Sequence, residues 1–597
     1  MRGYVNSPAE GPPAAAGGLR RRRAETAAVV LLASAAAWFA LSGNLGSEFW
    51  WNDAARHAMD GVFVLDFVRD LPGSLGLYRY ATEYYARYPC LGLVHYPPVF
   101  PAVEALFFAV CGVSVETARA TVAAFAALGA VFSYLVGRRF LGPWGAAVST
   151  LLFITAPGVV YWSRGVMLET PVMAMMLVSS YWFLAYVEDE RRGAGVAAAA
   201  FLTLAILTKQ TACSLVPVWL VYGVWRRGWR VLWRRESLLG MGLAAVLLVP
   251  FAVATVLFSP LNVGQSVGSL TGDFSHSRWS LASVGFYTRW LPRHAGVVCV
   301  VLIGCLVVAG LARRVSGRSA LGSVERLRGV VYATLWAATC YVLFTFVIAN
   351  KEGRFVLTWA PALALLGASG ASLLALGGRP GRAAAATVGV VLAAQALACG
   401  GGWRHDPWSS PSPHVAGTAV AAHRMADLPG GTVVFYAGRF NGNFIFNVRR
   451  FDGARKIVVL RGSKLLFSTP AMQAHGLTVH AATGEKILDV LRDYGVRYVL
   501  VEEPTPTLDR VGPVLDELRE LARSPLFVRR AVYAIPATDA ALARRLLLYE
   551  RIGAGPARAD VLTINLPLSG RVIRVPLRRL GVETMGLHDA GASGGRP

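Results

Sequence analysis

The sequence is short of charge. Asp, Glu, Lys and Arg make up 16% of its 597 residues, where a soluble chain carries about 25%. That shortage excludes an ordinary water-soluble globule. Acid is scarcer than base, 35 residues against 59, which leaves a formal net charge of +24. An excess of that size raises nucleic acid as a partner. Its placement argues for no nucleic acid: the basic residues cluster in short connections between apolar segments, where membrane topology accounts for them. Cysteine is scarce as well. The seven, at 90, 111, 213, 299, 305, 340 and 399, lie mostly inside apolar segments with no CxxC spacing, which excludes a disulfide framework and a thiolate metal centre. No inverted repeat of the transporter kind is visible.

Apolar residues are abundant, at 55%, and they come in runs of bilayer-crossing length. The first run, Ala27 to Leu45, follows Arg20 to Arg23 and reads as a signal anchor with a cytoplasmic N-terminus. Further runs fall at about 118–137, 144–162, 168–187, 194–208, 211–225, 238–258, 295–312, 329–349, 355–376 and 384–400, giving about eleven spans. The connections alternate in character. One set is basic, at 138–139, 188–192, 226–235, 313–328 and 379–382, and belongs inside by the positive-inside rule. The other set, at 164–169, 208–209, 262–294 and 351–354, then falls outside. Val99 to Val113, about 15 residues led in by Pro97 and Pro98, reads as a re-entrant or interfacial helix that does not reverse this order.

The expected domains are a disordered basic tail over 1–23, a transmembrane region over 24–400 with its first outer loop at 47–98, and an extramembrane unit over 401–597. In that last unit GTVVFYAG, ARKIVVL and VRYVLVEE read as strands, and Glu485 to Tyr494 and Pro513 to Arg523 as amphipathic helices. The expected fold is therefore a polytopic α-helical membrane protein with a C-terminal α/β domain and a disordered C-terminal end.

Chemistry concentrates where charge stands against the apolar grain. The 47–98 loop sets Asp53, Arg56, His57, Asp60, Glu83 and His95 among tryptophans and tyrosines. Asp53 reads either as a general base on an acceptor or as the N-cap of a helix starting at Ala54. Glu83 and His95 fit an acceptor, a divalent metal or simple loop packing; two such residues do not specify a metal site. Arg164 and Glu169 stand at two helix mouths, where they could pair with each other or serve a pocket shared with Asp53. Lys209, in AILTKQTACSLVP, reads as an ammonium for a phosphate or a lysine snorkelling from a helix end. Lys351, Glu352 and Arg354 form another outer mouth, and the cations there suit the phosphate of a lipid carrier. The loop residues Asn262, Gln265, Asp273, His276, Arg278, Trp279, Tyr287 and Arg289 suit sugar contact or a mobile loop.

In order along the chain, these motifs resemble those of the GT-C superfamily of membrane glycosyltransferases, in the branch of protein O-mannosyltransferases and the aminoarabinose transferase of lipid A. The resemblance covers roughly 24–376. Asn52-Asp53 stands for the family's acidic pair after the first span, with Ala54 in place of Glu. His95-Tyr96-Pro97-Pro98 resembles its Tyr-Pro-Pro element. Arg164 to Pro171 resembles Arg-x-x-x-Leu-Asp-x-Pro, with Glu169 for Asp. Leu207-Thr208-Lys209-Gln210 resembles Leu-Thr-Lys-Gly, and Arg354 to Thr358 resembles Arg-Tyr-x-Leu-Pro.

The resemblance implies a polyprenyl-phosphate-sugar lipid as donor and an acceptor that is protein, lipid or glycan. It implies Asp53 as base or acceptor-site acid. With the reading of the residues, the expected site has Asp53 and Glu169 as catalytic carboxylates, Lys209, Lys351, Arg354 and Arg164 around the donor phosphate, and Glu83, His95 and Tyr96 at the acceptor or sugar. No cofactor is assigned, and a divalent metal is left open. The expected location is a bacterial plasma membrane, with the site outside the cytoplasm. A lipid-linked sugar flippase, a polysaccharide polymerase and a non-enzymatic membrane scaffold stand as alternatives. An ion-coupled transporter does not fit charges gathered at helix mouths rather than mid-span.

Overall fold

A computed structural model describes residues 13–73, 76–92, 95–260, 263–264, 278–317, 319, 321–468, 477–503, 512–566 and 570–587. The expectations placed on Asn262, Gln265, Asp273 and His276 lie outside these residues. In hydrocarbon every backbone polar group must be satisfied within its own segment, so apolar runs of this length become helices. Among the described residues, eight helices are long and apolar enough to cross a membrane.

The first helix, α1 (Pro13–Leu41), takes in residues 13–23 that were expected as a disordered tail. After it come α2 (Asn52–Asp70), α3 (Leu77–Arg87) and α4 (Val99–Cys111), then the 40-residue α5 (Val115–Ile154). α5 bends at Gly142, whose φ of 74° precedes Pro143, so two expected spans share one helix. Next are α6 (Pro157–Ser163), α7 (Glu169–Val187), α8 (Ala194–Ile206), α9 (Leu215–Arg227) and α10 (Arg235–Phe258). At 13 residues each, α8 and α9 rise only about 20 Å, less than a bilayer core of about 30 Å. They account for two of the expected eleven spans that fall short of the length criterion. The bundle closes with α11 (Leu281–Thr288), α12 (Leu291–Ala295), α13 (Val297–Val315), α14 (Val324–Val342), α15 (Ala360–Leu374) and α16 (Gly378–Gly400).

Polar contacts sort the two ends of the bundle. At one end the Glu188 carboxylate accepts from Arg226 at 2.8 Å and Arg328 at 3.0 Å, and Arg139 meets Asp189 at 2.6 Å. These are the basic connections. At the other end Lys209 meets Glu169, and Arg354 meets Asp53.

Beyond α16 the chain forms α17 (Thr418–Ala426), β1 (Val433–Ala437), α18 (Asn441–Phe451), β2 (Val458–Arg461) and α19 (Gly462–Leu465). After the short β3 (Phe467–Ser468) and β4 (Thr478–Val479) come α20 (Gly484–Asp493), β5 (Val496–Glu503), α21 (Gly512–Arg523), β6 (Phe527–Ile535) and β7 (Arg544–Arg551), and a β8 (Val561–Leu566) and β9 (Arg571–Pro576) hairpin. One five-stranded sheet runs β2-β1-β5-β7-β6. β1 pairs in parallel with β2 and β5, and β7 runs antiparallel between β5 and β6.

The segment expected as an outer loop is mostly helix, because it has α4 and the α/β domain to pack against. Asp66 on α2 accepts from Arg449 on α18 through two bonds of 2.8 and 2.5 Å, and from the Tyr84 hydroxyl at 2.8 Å. Both side chains of this pair are buried. Glu48, between α1 and α2, accepts from the backbone of Thr418 and Ala419 at 3.2 and 2.7 Å, an anion at the N-terminus of α17. Glu83 belongs to the same seam: its carboxylate accepts from Arg79 at 2.9 Å and Arg579 at 3.1 Å.

Arg449→Ala leaves the Asp66 carboxylate buried without its cation. Such a break costs about 3–5 kcal/mol, so the detergent-solubilised variant is expected to unfold at a clearly lower temperature and to be cut faster by protease. Adding Asp66→Asn should recover part of the loss.

Candidate active site

Three apolar segments and one amphipathic helix bring a charge network to the mouth of the bundle opposite the basic connections. Asp53 lies in the first turn of α2, whose capping residue is Trp51. Asp53 is therefore inside the helix and does not cap it. Its carboxylate accepts from Arg56 at 3.2 Å, one turn along the same helix, and from Arg354 at 3.1 Å. Glu169 opens α7 and accepts from Lys209 at 2.6 Å, while Arg354 stands 3.9 Å from the same oxygen. Arg354 also donates to Glu352 at 2.5 Å.

All of these groups except Glu352 and Arg56 are largely shielded from solvent, Glu169 at 2% exposure. Buried charges survive only when paired. Here three carboxylates meet three cations, so the cluster is neutral as a whole. Aromatic faces supply the remaining walls. The Arg354 guanidinium lies 5.5 Å from the Trp51 ring and 5.6 Å from the Trp162 ring, and Lys209 lies 5.7 Å from Phe355. Such faces favour a cation.

Burial alone would raise the Asp53 carboxyl, but the Arg56 and Arg354 guanidiniums outweigh it and hold it well below the usual carboxylate range. Tyr96 stands beside it: burial, then the Asp53 charge, push its phenol up. The His57 ring meets Tyr96 edge-on at 4.4 Å, and burial holds His57 neutral, down to about 3. His95 meets Tyr96 edge-on at 4.8 Å, with Nδ1 3.4 Å from the Ser259 hydroxyl. Burial and then Arg56 lower it to about 4.

The structure thus gathers Asp53, Glu169, Lys209 and Arg354, with Tyr96 and His95 at the edge. It places others elsewhere. Arg164 does not pair with Glu169. Its Nε donates to the Phe39 carbonyl at 3.1 Å and its Nη2 to the Cys399 carbonyl at 3.0 Å, closing the ends of α1 and α16 as cations do. Lys351 donates to the Phe344 and Thr345 carbonyls at 3.1 and 2.7 Å; burial, then Arg278, lower it to about 8. Glu83 sits in the domain seam. Among the described residues no cluster of three metal-ligating side chains occurs.

Two groups went unmarked as site residues. Arg56 was readable as the partner of Asp53 from its i+3 spacing, had the segment been taken as helix. Glu104 was hidden in the apolar run of α4. It is fully buried with both carboxyl oxygens unpartnered, and it feels the Asp60 charge.

With this geometry in place, the relatives can be compared. A family model described as dolichyl-phosphate-mannose-protein mannosyltransferase matches residues 95–255, a stretch that holds Tyr96, Glu169 and Lys209. The fold is similar to that of ArnT from Cupriavidus metallidurans. In its form bound to undecaprenyl phosphate the TM-score is 0.55 at 18% identity, covering 88% of this chain and 99% of that one. In its apo form the TM-score is 0.55 at 19% identity, covering 89% and 100%. A looser likeness is to the oligosaccharyltransferase AglB from Archaeoglobus fulgidus, with a TM-score of 0.45 at 13% identity, covering 80% and 69%. None of the curated proteins matches the sequence. The chain thus carries a stretch similar to that family model and a fold similar to that of ArnT, and it is an integral membrane protein.

The buried acids beneath the site give a pH test. Asp60 accepts from the Gly92 amide at 2.9 Å, and its other oxygen is unpartnered. Burial pushes its carboxyl up to about 8, against about 3.9 unfolded. Between those values the folded chain keeps a proton that the unfolded chain has lost, so stability falls as pH rises. Asp60→Asn removes that dependence and keeps an acceptor for Gly92. Its unfolding temperature should match the wild type near pH 4 and exceed it near pH 8. An offset that is the same at both values would contradict this account.

Proposed function

We propose that the chain transfers a sugar from a polyprenyl-phosphate donor to an acceptor on the non-cytoplasmic face of a bacterial plasma membrane. The observation that carries this reading is the neutral, buried network of Asp53, Glu169, Lys209 and Arg354 at the outer mouth. The donor's phosphate enters at this mouth with its lipid tail lying between helices. The donor's phosphodiester carries one negative charge, as a carboxylate does, and gains a second as polyprenyl phosphate departs, so the hold of Arg354 and Lys209 on it strengthens as the bond breaks.

That hold matters for Asp53. A carboxylate gripped by two guanidiniums is a poor base. Once Arg354 turns to the phosphate, Asp53 keeps only Arg56 and its basicity rises toward the range useful for proton transfer. The acceptor's nucleophilic oxygen then attacks the anomeric carbon. Its proton passes to Asp53. The bond from that carbon to the phosphate oxygen breaks, its electron pair stays on the departing polyprenyl phosphate, and Lys209 and Arg354 stabilise the growing charge. A single displacement inverts the anomeric centre. Glu169 holds Lys209 in place between turnovers, and Tyr96 and His95 line the acceptor side.

General-base removal typically costs 10²–10⁴-fold. Asp53→Asn is therefore expected to lose transfer by about that factor while inserting normally into membranes. Lys209→Ala is expected to slow turnover and weaken binding of polyprenyl phosphate. Full activity in Asp53→Asn would sink the role given to this residue.

A further inference from the structure

A small cavity, of about 30 Å³, lies where α2 meets the α/β domain. Its cationic lining is Arg56 from α2, Arg439 from the loop after β1 and Arg461 from the end of β2, with Asn441 and Asn443 from the first turn of α18. No carboxylate lines it. Among the described residues neither Arg439 nor Arg461 makes an ion pair. Arg461 donates to the Pro89 carbonyl at 2.9 Å and to the Ser463 hydroxyl at 3.0 Å. The Arg439 Nε is buried without a partner. Glu502 stands behind the loop and not on the cavity wall; it accepts from the Phe440 amide and the Tyr436 hydroxyl, each at 2.7 Å, and so fixes the loop's course.

The sheet explains why these groups converge. β1 is parallel to both neighbours, and the chain leaves it toward β2 on one side and reaches β5 on the other. Strand order reverses there, and ligands of open α/β sheets bind outside the carboxyl ends of strands at such a point. That end faces the transferase region. Gly442 permits the approach: a Cβ there would stand 2.8 Å from the Ala55 Cβ and 3.2 Å from the Cys90 sulfur. Asn443 donates to the Phe49 carbonyl at 2.8 Å, holding the first turn of α18 beside the cavity. Arg56 is shared: it lines the cavity and donates to Asp53.

We infer that this cavity binds a phosphate group carried by the acceptor, so that the α/β domain positions the acceptor's nucleophile beside Asp53. The word acceptor rests on the transferase reading above; the anion site does not. Two guanidiniums without an acidic counterpart, Arg439 and Arg461, with Arg56 shared with Asp53 as the third, suit a dianionic tetrahedral group, which each can hold through paired N–H donors. The donor's phosphate is the other source of the same chemistry, and a titration separates the two.

The full chain in detergent is titrated with inorganic phosphate by calorimetry, alone and after saturation with a short-chain polyprenyl phosphate. Phosphate is expected to bind in both states, and Arg439→Ala is expected to weaken it about tenfold or more, as loss of a hydrogen bond to a charged group does. Arg439→Lys, which keeps the charge, should retain part of the affinity. An unchanged unfolding temperature identifies Arg439→Ala as folded, which its lack of partners leads us to expect. No phosphate binding, equal binding in Arg439→Ala, or complete displacement by the polyprenyl phosphate would each overturn the inference, the last by assigning the anion to the donor. If the lipid phosphate itself fails to bind, the transferase reading falls, while the titration of the lipid-free protein still reads the cavity.

Discussion

The Arg354 guanidinium holds three parts of the chain in one place. It donates to Asp53 on α2 and to Glu352 beside it, and it stands within ion-pair distance of Glu169 on α7. A charge at this depth is tolerated only with partners, since a buried ion stripped of its counter-ion costs about 3–5 kcal/mol. The same need that orders the mouth also stores reactivity there. On the proposed function, each carboxylate is held by a cation that the departing phosphate would claim as its charge grows, so the resting network is one step from a loaded site. Trp51 and Trp162 flank the guanidinium and leave little room for water to screen the exchange.

The α/β domain is joined to this mouth by ionic and backbone contacts rather than by a tether alone. Asp66 with Arg449, Asp70 with Arg455 and Glu48 with the start of α17 fasten three points of the segment between α1 and α4. This segment is then a shared wall. One face of α2 carries Asp53 toward the bundle, and its start, with Arg56, borders the cavity beneath α18. On the proposed function, an acceptor approaching Asp53 would pass both units, which would give the sheet's carboxyl edge a place in recognition and not only in stability.

The helical bundle and the α/β domain were legible because their signals are local. Apolar runs of bilayer length and strands bounded by Gly and Asp depend on neighbours in sequence. The alternation of basic connections separated the ends of the bundle, and it set Glu169, Lys209 and Arg354 on one side, where the structure brings them within reach of Asp53. Partner choice was not legible. Arg164 and Glu169 are five positions apart, yet Arg164 turns to the Phe39 and Cys399 carbonyls, because two helix ends there lack partners for their last carbonyls. Lys351 does the same for Phe344 and Thr345. A lone basic residue at a helix mouth looks the same in sequence whether it serves a carbonyl or a phosphate. The 47–98 segment was read as loop because its helices are only weakly apolar; their burial comes from α4 together with the α/β domain, whose Arg449 meets Asp66 from far along the chain.

The central claim is that this network moves a sugar off a lipid phosphate. The most direct measurement is to incubate the purified chain in detergent with a radiolabelled polyprenyl-phosphate hexose and a membrane extract as the pool of acceptors. The account predicts release of free polyprenyl phosphate, with the label appearing in a new product. Bound lipid that is never turned over, across several sugars, would contradict it and leave a lipid-binding or transport protein in its place.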